Sequence, residues 1–203
     1  MNKGIFNYYK PSVLVALIAL LAIAVFIAKV FWSISISVIS IISILLWVID
    51  KWLWRTKMFS WMFWIEDFSG RYEGQLEFEY RDEKCIVHKG KLKHVKIIHQ
   101  SGSKINIYSF TMKEDGEPSS LSVNKGMYVM KLEQTKHYQF LYSYLNDGDM
   151  SLSTHYGTEI IKYIKKGSEK YLSGRYFTER VPYSTKGKFI DLKWVNNNQN
   201  HEF

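Results

Sequence analysis

The segment RYEGQLEFEY, residues 71–80, alternates strictly between two kinds of side chain. Apolar or small residues occupy the even positions from Tyr72 to Tyr80, and charged or amide residues occupy the odd positions from Arg71 to Glu79. A period of two residues is typical of a β-strand that buries one face. We therefore predict a strand whose even-numbered side chains point into a core.

Similar runs continue along the rest of the chain and are separated by short turn signals. They cover Cys85–His99, Lys104–Lys113, Ser119–Asn124, Met127–Thr135, His137–Leu145, His155–Lys165, Tyr171–Thr178 and Gly187–Val195. Pairs such as Asp115-Gly116 and Lys166-Gly167 favour tight turns between them, as does Lys125-Gly126. The pattern predicts an all-β domain, an antiparallel up-and-down β-barrel of roughly eight strands like those of lipocalins and fatty-acid-binding proteins. A β-sandwich is the alternative.

The amino-terminal part has a different composition. Ser12–Ala28 and Val30–Ile49 are uncharged runs of 17 and 20 residues, separated by Lys29. About 20 helical residues cross a hydrocarbon core of roughly 30 Å. We predict a membrane α-helical hairpin with a tight turn around Lys29–Ser33. A cleaved signal peptide is the alternative for the first run.

Basic residues flank the two runs unequally. Lys3 and Lys10 precede the first run, and Lys51, Arg55 and Lys57 follow the second. Positive residues concentrate on the cytoplasmic side of membrane proteins, so both termini and the β-domain are predicted to be cytoplasmic. The single cysteine, Cys85, fits a reducing compartment.

Tryptophans cluster where the second run ends. Trp47, Trp52, Trp54, Trp61 and Trp64 are interleaved with basic residues. Indole rings favour the headgroup layer of a bilayer, so Lys51–Ile65 is predicted to be an interfacial helix or a continuation of the second span. The predicted organisation is a hairpin over residues 1–50, an aromatic and basic collar over 51–66, a β-barrel over 67–195 and a polar tail over 196–203.

Signatures of catalysis and of metal binding are missing from the sequence. It contains no G-x-S-x-G elbow, no phosphate-binding glycine loop and no H-E-x-x-H motif. His88, His94 and His99 share one predicted strand and are interpreted as surface or packing residues, and Asn146–Asp149 as a hairpin turn. We expect no enzyme, no cofactor and no metal.

The β-domain is instead rich in tyrosine and mildly basic. The residues after Phe68 include 21 Lys or Arg and 16 Asp or Glu, a net charge of +5. A pocket lined by Tyr, His, Thr and Arg suits a flat, polar, anionic ligand, because rings stack on bases and Arg pairs with phosphate.

Short motifs combine with this order of parts. They are FSGRYEG (68–74), YSYLN (142–146), HYGT (155–158), LSGRYFTER (172–180) and TKG (185–187). Two apolar runs, an aromatic collar and a small β-barrel resemble the two-transmembrane, β-strand-rich effectors of CBASS anti-phage defence, the SMODS-associated β-barrel proteins. The resemblance covers the chain up to the polar tail.

The resemblance implies a function and a set of partners. In that family a nucleotidyltransferase makes a cyclic dinucleotide, the barrel binds it, protomers form a homo-oligomer, and the spans disrupt the bacterial inner membrane. The chain would then be a multi-pass inner-membrane protein that contacts the lipid bilayer and binds no polymeric nucleic acid.

Seven residues form the predicted ligand site. Tyr144 and Tyr176 would stack on bases, and Arg180 would pair with phosphate. Hydrogen bonds would come from Asn146, His155, Thr158 and Thr178. Two alternatives remain open: a membrane-tethered barrel that carries a lipid, and a structural adaptor with a filled barrel.

Overall fold

Two compact units make up the chain. One comprises Met1–Asp67 and Gln100–Lys104, and the other comprises Phe68–His99 and Ile105–Phe203. The structure is a computed structural model that describes residues 6–32, 37–133, 135, 137–147 and 154–202, without the side chains of Trp32 and Asp191.

Helices form the first unit. Helix α1 spans Pro11–Trp32, and helix α2 spans Val38–Val48 before passing into one π-helical turn, Ile49–Leu53. Within the described residues one helical segment, Pro11–Phe31, is long and apolar enough to cross a membrane. A turn is predicted around Lys29–Ser33, but Lys29 to Trp32 form the last turn of helix α1, so this part of the prediction is wrong. No Gly or Pro interrupts the helix before Trp32. Ser33 lies outside the described residues.

The collar is less helical than predicted. After Leu53 the chain makes turns, and only Ser60–Met62 forms a further short 3₁₀ turn. Backbone pairing with the segment before α1 replaces the expected helix: the Lys10 N–H donates to the Met62 carbonyl at 2.8 Å, and the Trp64 N–H donates to the Tyr8 carbonyl at 3.1 Å. These bonds satisfy backbone groups that a helix would otherwise use.

Eight antiparallel strands form the second unit and close into a barrel in sequence order, with β8 beside β1. The strands are β1 (Gly70–Arg81), β2 (Val87–Gln100), β3 (Ile105–Met112), β4 (Pro118–Leu132), β5 (His137–Asn146), β6 (His155–Lys166), β7 (Glu169–Thr178) and β8 (Thr185–Asn196). The predicted closed barrel is confirmed and the sandwich is excluded. Lys125-Gly126 is an irregularity within β4 rather than a turn, because β4 pairs with β5 on both sides of it.

Strand β1 shows the alternation that its sequence predicts. Tyr72 is fully buried inside the barrel. On the outer face, Glu77 pairs with Lys91 of β2 at 3.1 Å and with Lys188 of β8 at 2.9 Å. Opposite charges directly across neighbouring strands favour this register, and a slip by one residue would bury the glutamates.

Aromatic rings fill the end of the barrel where β1 begins. The Phe68 ring lies 4.9 Å from Tyr138, 4.9 Å from Phe140 and 4.7 Å from Tyr163, measured between ring centroids. The Tyr72 hydroxyl donates to the Phe68 carbonyl at 2.8 Å. Edge-to-face ring pairs of this kind contribute about 0.5–1.5 kcal/mol each beyond the area that they bury.

The polar tail packs against the outside of the barrel. The His201 ring lies 4.8 Å from Tyr108 and 5.4 Å from Phe110, and Glu202 forms an ion pair with Arg71. Phe110 belongs to a buried outward-facing cluster with Val95 and Ile97. The tail therefore shields apolar surface that an isolated barrel would expose to water.

Candidate ligand-binding cavity

A cavity of about 380 Å³ occupies the opposite half of the barrel, where strands β1, β3, β5 and β7 end. That volume lies at the lower end of the range for small-molecule sites. The lining consists of Leu76, Phe78, Tyr80, Leu92, His94, Thr111, Lys113, Ser119, Ser120, Ser122, Tyr144, Asn146, His155, Glu159, Tyr176, Thr178, Arg180, Thr185 and Phe189.

A buried ion pair forms the floor of the cavity. The Lys96 ammonium is fully buried and donates to Glu159 Oε2 at 2.7 Å and to Ser109 Oγ at 2.6 Å. The Tyr142 hydroxyl donates to the same Oε2. Burial lowers the pKa of Lys96, and the Glu159 carboxylate opposes that shift. Removing one partner of such a pair leaves an uncompensated buried charge, so the network is sensitive to substitution.

His94 forms part of the wall beside this floor. Its Nδ1 lies 3.1 Å from Thr111 Oγ1, and among the described residues its buried Nε2 has no hydrogen-bond partner. Burial, and next the charge of Lys96, lower the pKa of His94 well below its usual value. The imidazole is therefore neutral at physiological pH. The sequence marked it as a surface or packing residue, whereas it borders the cavity.

Two tyrosine rings lie across glycines of neighbouring strands. A Cβ at Gly157 would lie 2.3 Å from Tyr144 Cζ, and one at Gly187 would lie 2.5 Å from Tyr176 Cε1. The glycines of the HYGT and TKG motifs thus leave room for the rings. Burial, and next the Glu159 carboxylate, raise the pKa of both tyrosines. Their hydroxyls therefore remain protonated.

Basic residues border the mouth of the cavity. Arg180 is the second residue after the end of β7 and is half-buried. Its backbone N–H donates to Thr178 Oγ1 at 2.9 Å. Its guanidinium makes no ion pair with any described residue. Lys113 follows β3 and pairs with Glu117 at 3.3 Å. An anionic group at the mouth would meet two cations there.

Six of the seven predicted site residues line this one cavity. They are Tyr144, Asn146, His155, Tyr176, Thr178 and Arg180. Thr158 does not line it, because it is exposed and opposes Ser143 and Phe177 across β6. Side chains alternate along a strand, so the inward direction of Gly157 and Glu159 turns Thr158 outward.

The charged floor was missed in the sequence. Lys96 stands between Val95 and Ile97, and Glu159 precedes two isoleucines. A single charge within an apolar strand is the signal that points to them. The sequence contains many such charges, and only the closed barrel shows that these two, 63 positions apart, face each other.

Among residues 6–32, 37–133, 135, 137–147 and 154–202, no group of three or more His, Cys, Asp or Glu side chains is placed to hold a metal ion. Comparison with protein-family models, with curated proteins and with solved structures found no match to this chain.

Proposed function

We propose that this chain is a membrane-anchored receptor for a cyclic dinucleotide and acts as a CBASS anti-phage effector. The observation that carries the proposal is the composition of the cavity: aromatic walls, hydroxyl and amide side chains, and cations at the mouth. Aromatic rings stack on nucleobases, and Arg or Lys binds phosphate.

The lining favours a nucleotide over a lipid. Ser119, Ser120 and Ser122 lie on β4, and Thr111, Thr178 and Thr185 add further hydroxyls on three other strands. Several of these hydroxyls already bond within the protein, for example Thr111 with His94 and Thr178 with the Arg180 N–H. A fatty-acid tail would offer nothing to the donor and acceptor capacity that remains, whereas a nucleotide carries both donors and acceptors. The adaptor alternative expects a filled barrel, and an open cavity of about 380 Å³ argues against it.

The helical unit supports anchoring. Segment Pro11–Phe31 has a mean hydropathy of 3.0 and no buried residues. Helix α2 and its π-helical turn comprise 11 and five residues, or roughly 24 Å at 1.5 Å per residue. The pairing of Tyr8 and Lys10 with Met62 and Trp64 brings the start of α1 close to the chain after α2, as expected for a two-span hairpin.

Aromatic and basic side chains at that end match a membrane interface. The Trp47 and Trp52 rings lie 4.8 Å apart, and the Lys51 ammonium lies 5.5 and 5.6 Å from their centroids. The Arg55 guanidinium lies 5.4 Å from the Trp54 ring. Such groups favour the anionic headgroup layer on the cytoplasmic side. In this arrangement the helices lie in the bacterial inner membrane, and both termini and the barrel are cytoplasmic.

Ligand binding would act through linkage. A ligand shifts an equilibrium between two states only by its difference in affinity for them. In this proposal the liganded barrel favours a homo-oligomer, and the assembled helices breach the inner membrane. The infected cell then dies before phage matures.

Calorimetry on the detergent-solubilised full chain tests the ligand. Cyclic di-AMP, cyclic di-GMP, cyclic GMP-AMP and cyclic di-UMP are titrated separately, and we expect at least one to bind. Arg180→Ala should weaken that binding at least tenfold, because it removes a cation from the mouth. Arg175→Ala is the matched control, because Arg175 lies on β7, the strand that precedes Arg180, and is exposed.

The outcomes separate the candidate functions. Failure of every cyclic dinucleotide to bind would defeat the receptor proposal. If Arg175→Ala loses as much affinity as Arg180→Ala, Arg180 has no specific role in binding the ligand. A copurifying fatty acid, identified by mass spectrometry, would favour the lipid carrier. Dye release from vesicles that contain the chain should depend on the ligand that binds.

A further inference from the structure

The floor of the cavity carries one carboxylate oxygen that the fold leaves unoccupied. Both hydrogen bonds to Glu159, from Lys96 and from Tyr142, end on Oε2. Among the described residues, none donates to Oε1. The Glu159 side chain is 5% exposed and borders the cavity, so the little surface that it retains faces the space that a ligand would fill.

The network holds this carboxylate in place through two donors, Lys96 and Tyr142. Lys96 supplies a charge at 2.7 Å and is itself held by Ser109 Oγ at 2.6 Å. The Lys96 ammonium also lies 4.3 Å from the centre of the Phe189 ring, which limits its movement. The oxygen of a carboxylate held in this way acts as a hydrogen-bond acceptor.

The charges of the cavity orient an anionic ligand. Arg180 and Lys113 lie at the mouth, while Glu159 lies at the floor. Phosphates are therefore attracted to the mouth, whereas the floor is an ion pair without net charge whose carboxylate borders the cavity. The Tyr144 and Tyr176 rings line the same cavity, and Tyr176 lies opposite Glu159 in the pairing of β6 with β7. A base stacked on these rings can turn its outer edge toward Glu159.

From this geometry we propose that Glu159 Oε1 accepts a hydrogen bond from an exocyclic amino group of the ligand's base. The inference rests on the receptor function proposed above and names the ligand class: cyclic dinucleotides of adenine, guanine or cytosine. The ring N–H of uracil lies between two carbonyl oxygens, which the carboxylate repels, so uracil is disfavoured. Lys96 is a positioning residue in this scheme.

The ligand itself provides the first test. On the detergent-solubilised wild-type chain, calorimetry compares cyclic di-AMP with its counterpart in which both 6-amino groups are replaced by hydrogen. Cyclic di-GMP is compared in the same way with cyclic di-IMP, which lacks the 2-amino group. For whichever parent binds, the counterpart without the amino groups should bind at least tenfold more weakly, because a buried acceptor loses its donor.

A protein variant completes the cycle. Glu159→Gln leaves Lys96 buried without a counter-charge, so the double variant Lys96→Met/Glu159→Gln accompanies it and keeps the floor neutral. In either folded variant the parent and its counterpart without the amino groups should bind within threefold of each other. Glu77→Gln, which removes a lysine-paired carboxylate from the outer face, should retain the full tenfold difference.

Three results would overturn the inference while leaving the receptor intact. They are equal binding of parent and counterpart by the wild type, an unchanged tenfold difference in the variants, and preferential binding of cyclic di-UMP. Absence of binding by any cyclic dinucleotide defeats the receptor function instead, so the two failures are distinguishable.

Discussion

The two halves of the barrel interior are built from similar residues and do different things. At the end where β1 begins, the rings of Tyr138, Phe140 and Tyr163 pack edge to face around Phe68. At the other end, Tyr144 and Tyr176 border a cavity of about 380 Å³. Tyrosine content therefore does not distinguish a filled interior from a hollow one.

What differs is the presence of a plug. Phe68 precedes β1 and inserts its ring among three others, whereas small hydroxyl side chains such as Ser120 and Ser122 occupy β4 at the hollow end. Between the halves, the Lys96–Glu159 pair forms a polar layer. A small barrel can thus devote half of its interior to stability and half to a ligand.

The largest expected effect breaks the filled half. Phe140→Ala should lower the free energy of unfolding by about 4 kcal/mol, because the fully buried ring leaves a cavity among rigid neighbours. Phe78→Ala, at the hollow end, should cost only about 1 kcal/mol, since its ring already borders open space. Hydrogen exchange of the strand amides in the solubilised full chain measures both. Equal costs would contradict the distinction between the halves.

The polar layer between the halves should be the next most sensitive. Lys96→Met should cost about 3 kcal/mol, because Glu159 would stay buried without its cation. Lys93→Met, on the exposed face of the same strand, should change the free energy of unfolding by less than about 0.5 kcal/mol. The same exchange measurement is made on both variants. Similar losses of unfolding free energy would mean that burial of the Lys96–Glu159 pair does not raise the cost of removing the lysine.

The smallest expected effect is a pH dependence at the hollow end. Burial depresses the pKa of His94 in the folded chain well below 6.5, the ordinary pKa that it has in the unfolded chain. As the pH drops below 6.5, the unfolded chain therefore binds the proton more readily, and the free energy of unfolding decreases. About 1 kcal/mol should be lost at pH 5.5 through this residue. His99, whose pKa burial also lowers, adds to the loss.

The variant His94→Gln isolates this contribution. Unfolding is followed between pH 7.5 and about 5, and the loss should shrink in His94→Gln but persist in His88→Gln, whose exposed ring pairs with Asp82. If both variants keep the full wild-type slope, His94 is not the group that titrates.

The sequence by itself determined the strand pattern and predicted six residues that line the candidate cavity. Alternation in residues 71–80 predicts the inward face of β1, and the turn signals predict a closed barrel, as found. Six predicted ligand residues lie near strand ends on β5, β6 and β7 or just after β7, and those ends meet at one mouth. Alternation is a local property, so a single sequence carries it.

Only the tertiary structure decided which interior positions are filled and which charges meet. Lys96 and Glu159 come from β2 and β6, and nothing local to either strand pairs them. Thr158 was misplaced because it lies three positions after His155 on β6, and alternation along a strand puts two such residues on opposite faces. The closed barrel decided which of the two faces points inward. The tail likewise gained a role through its long-range contacts of His201 and Glu202. Closure brings together residues that are distant in the chain, and no local pattern encodes that proximity.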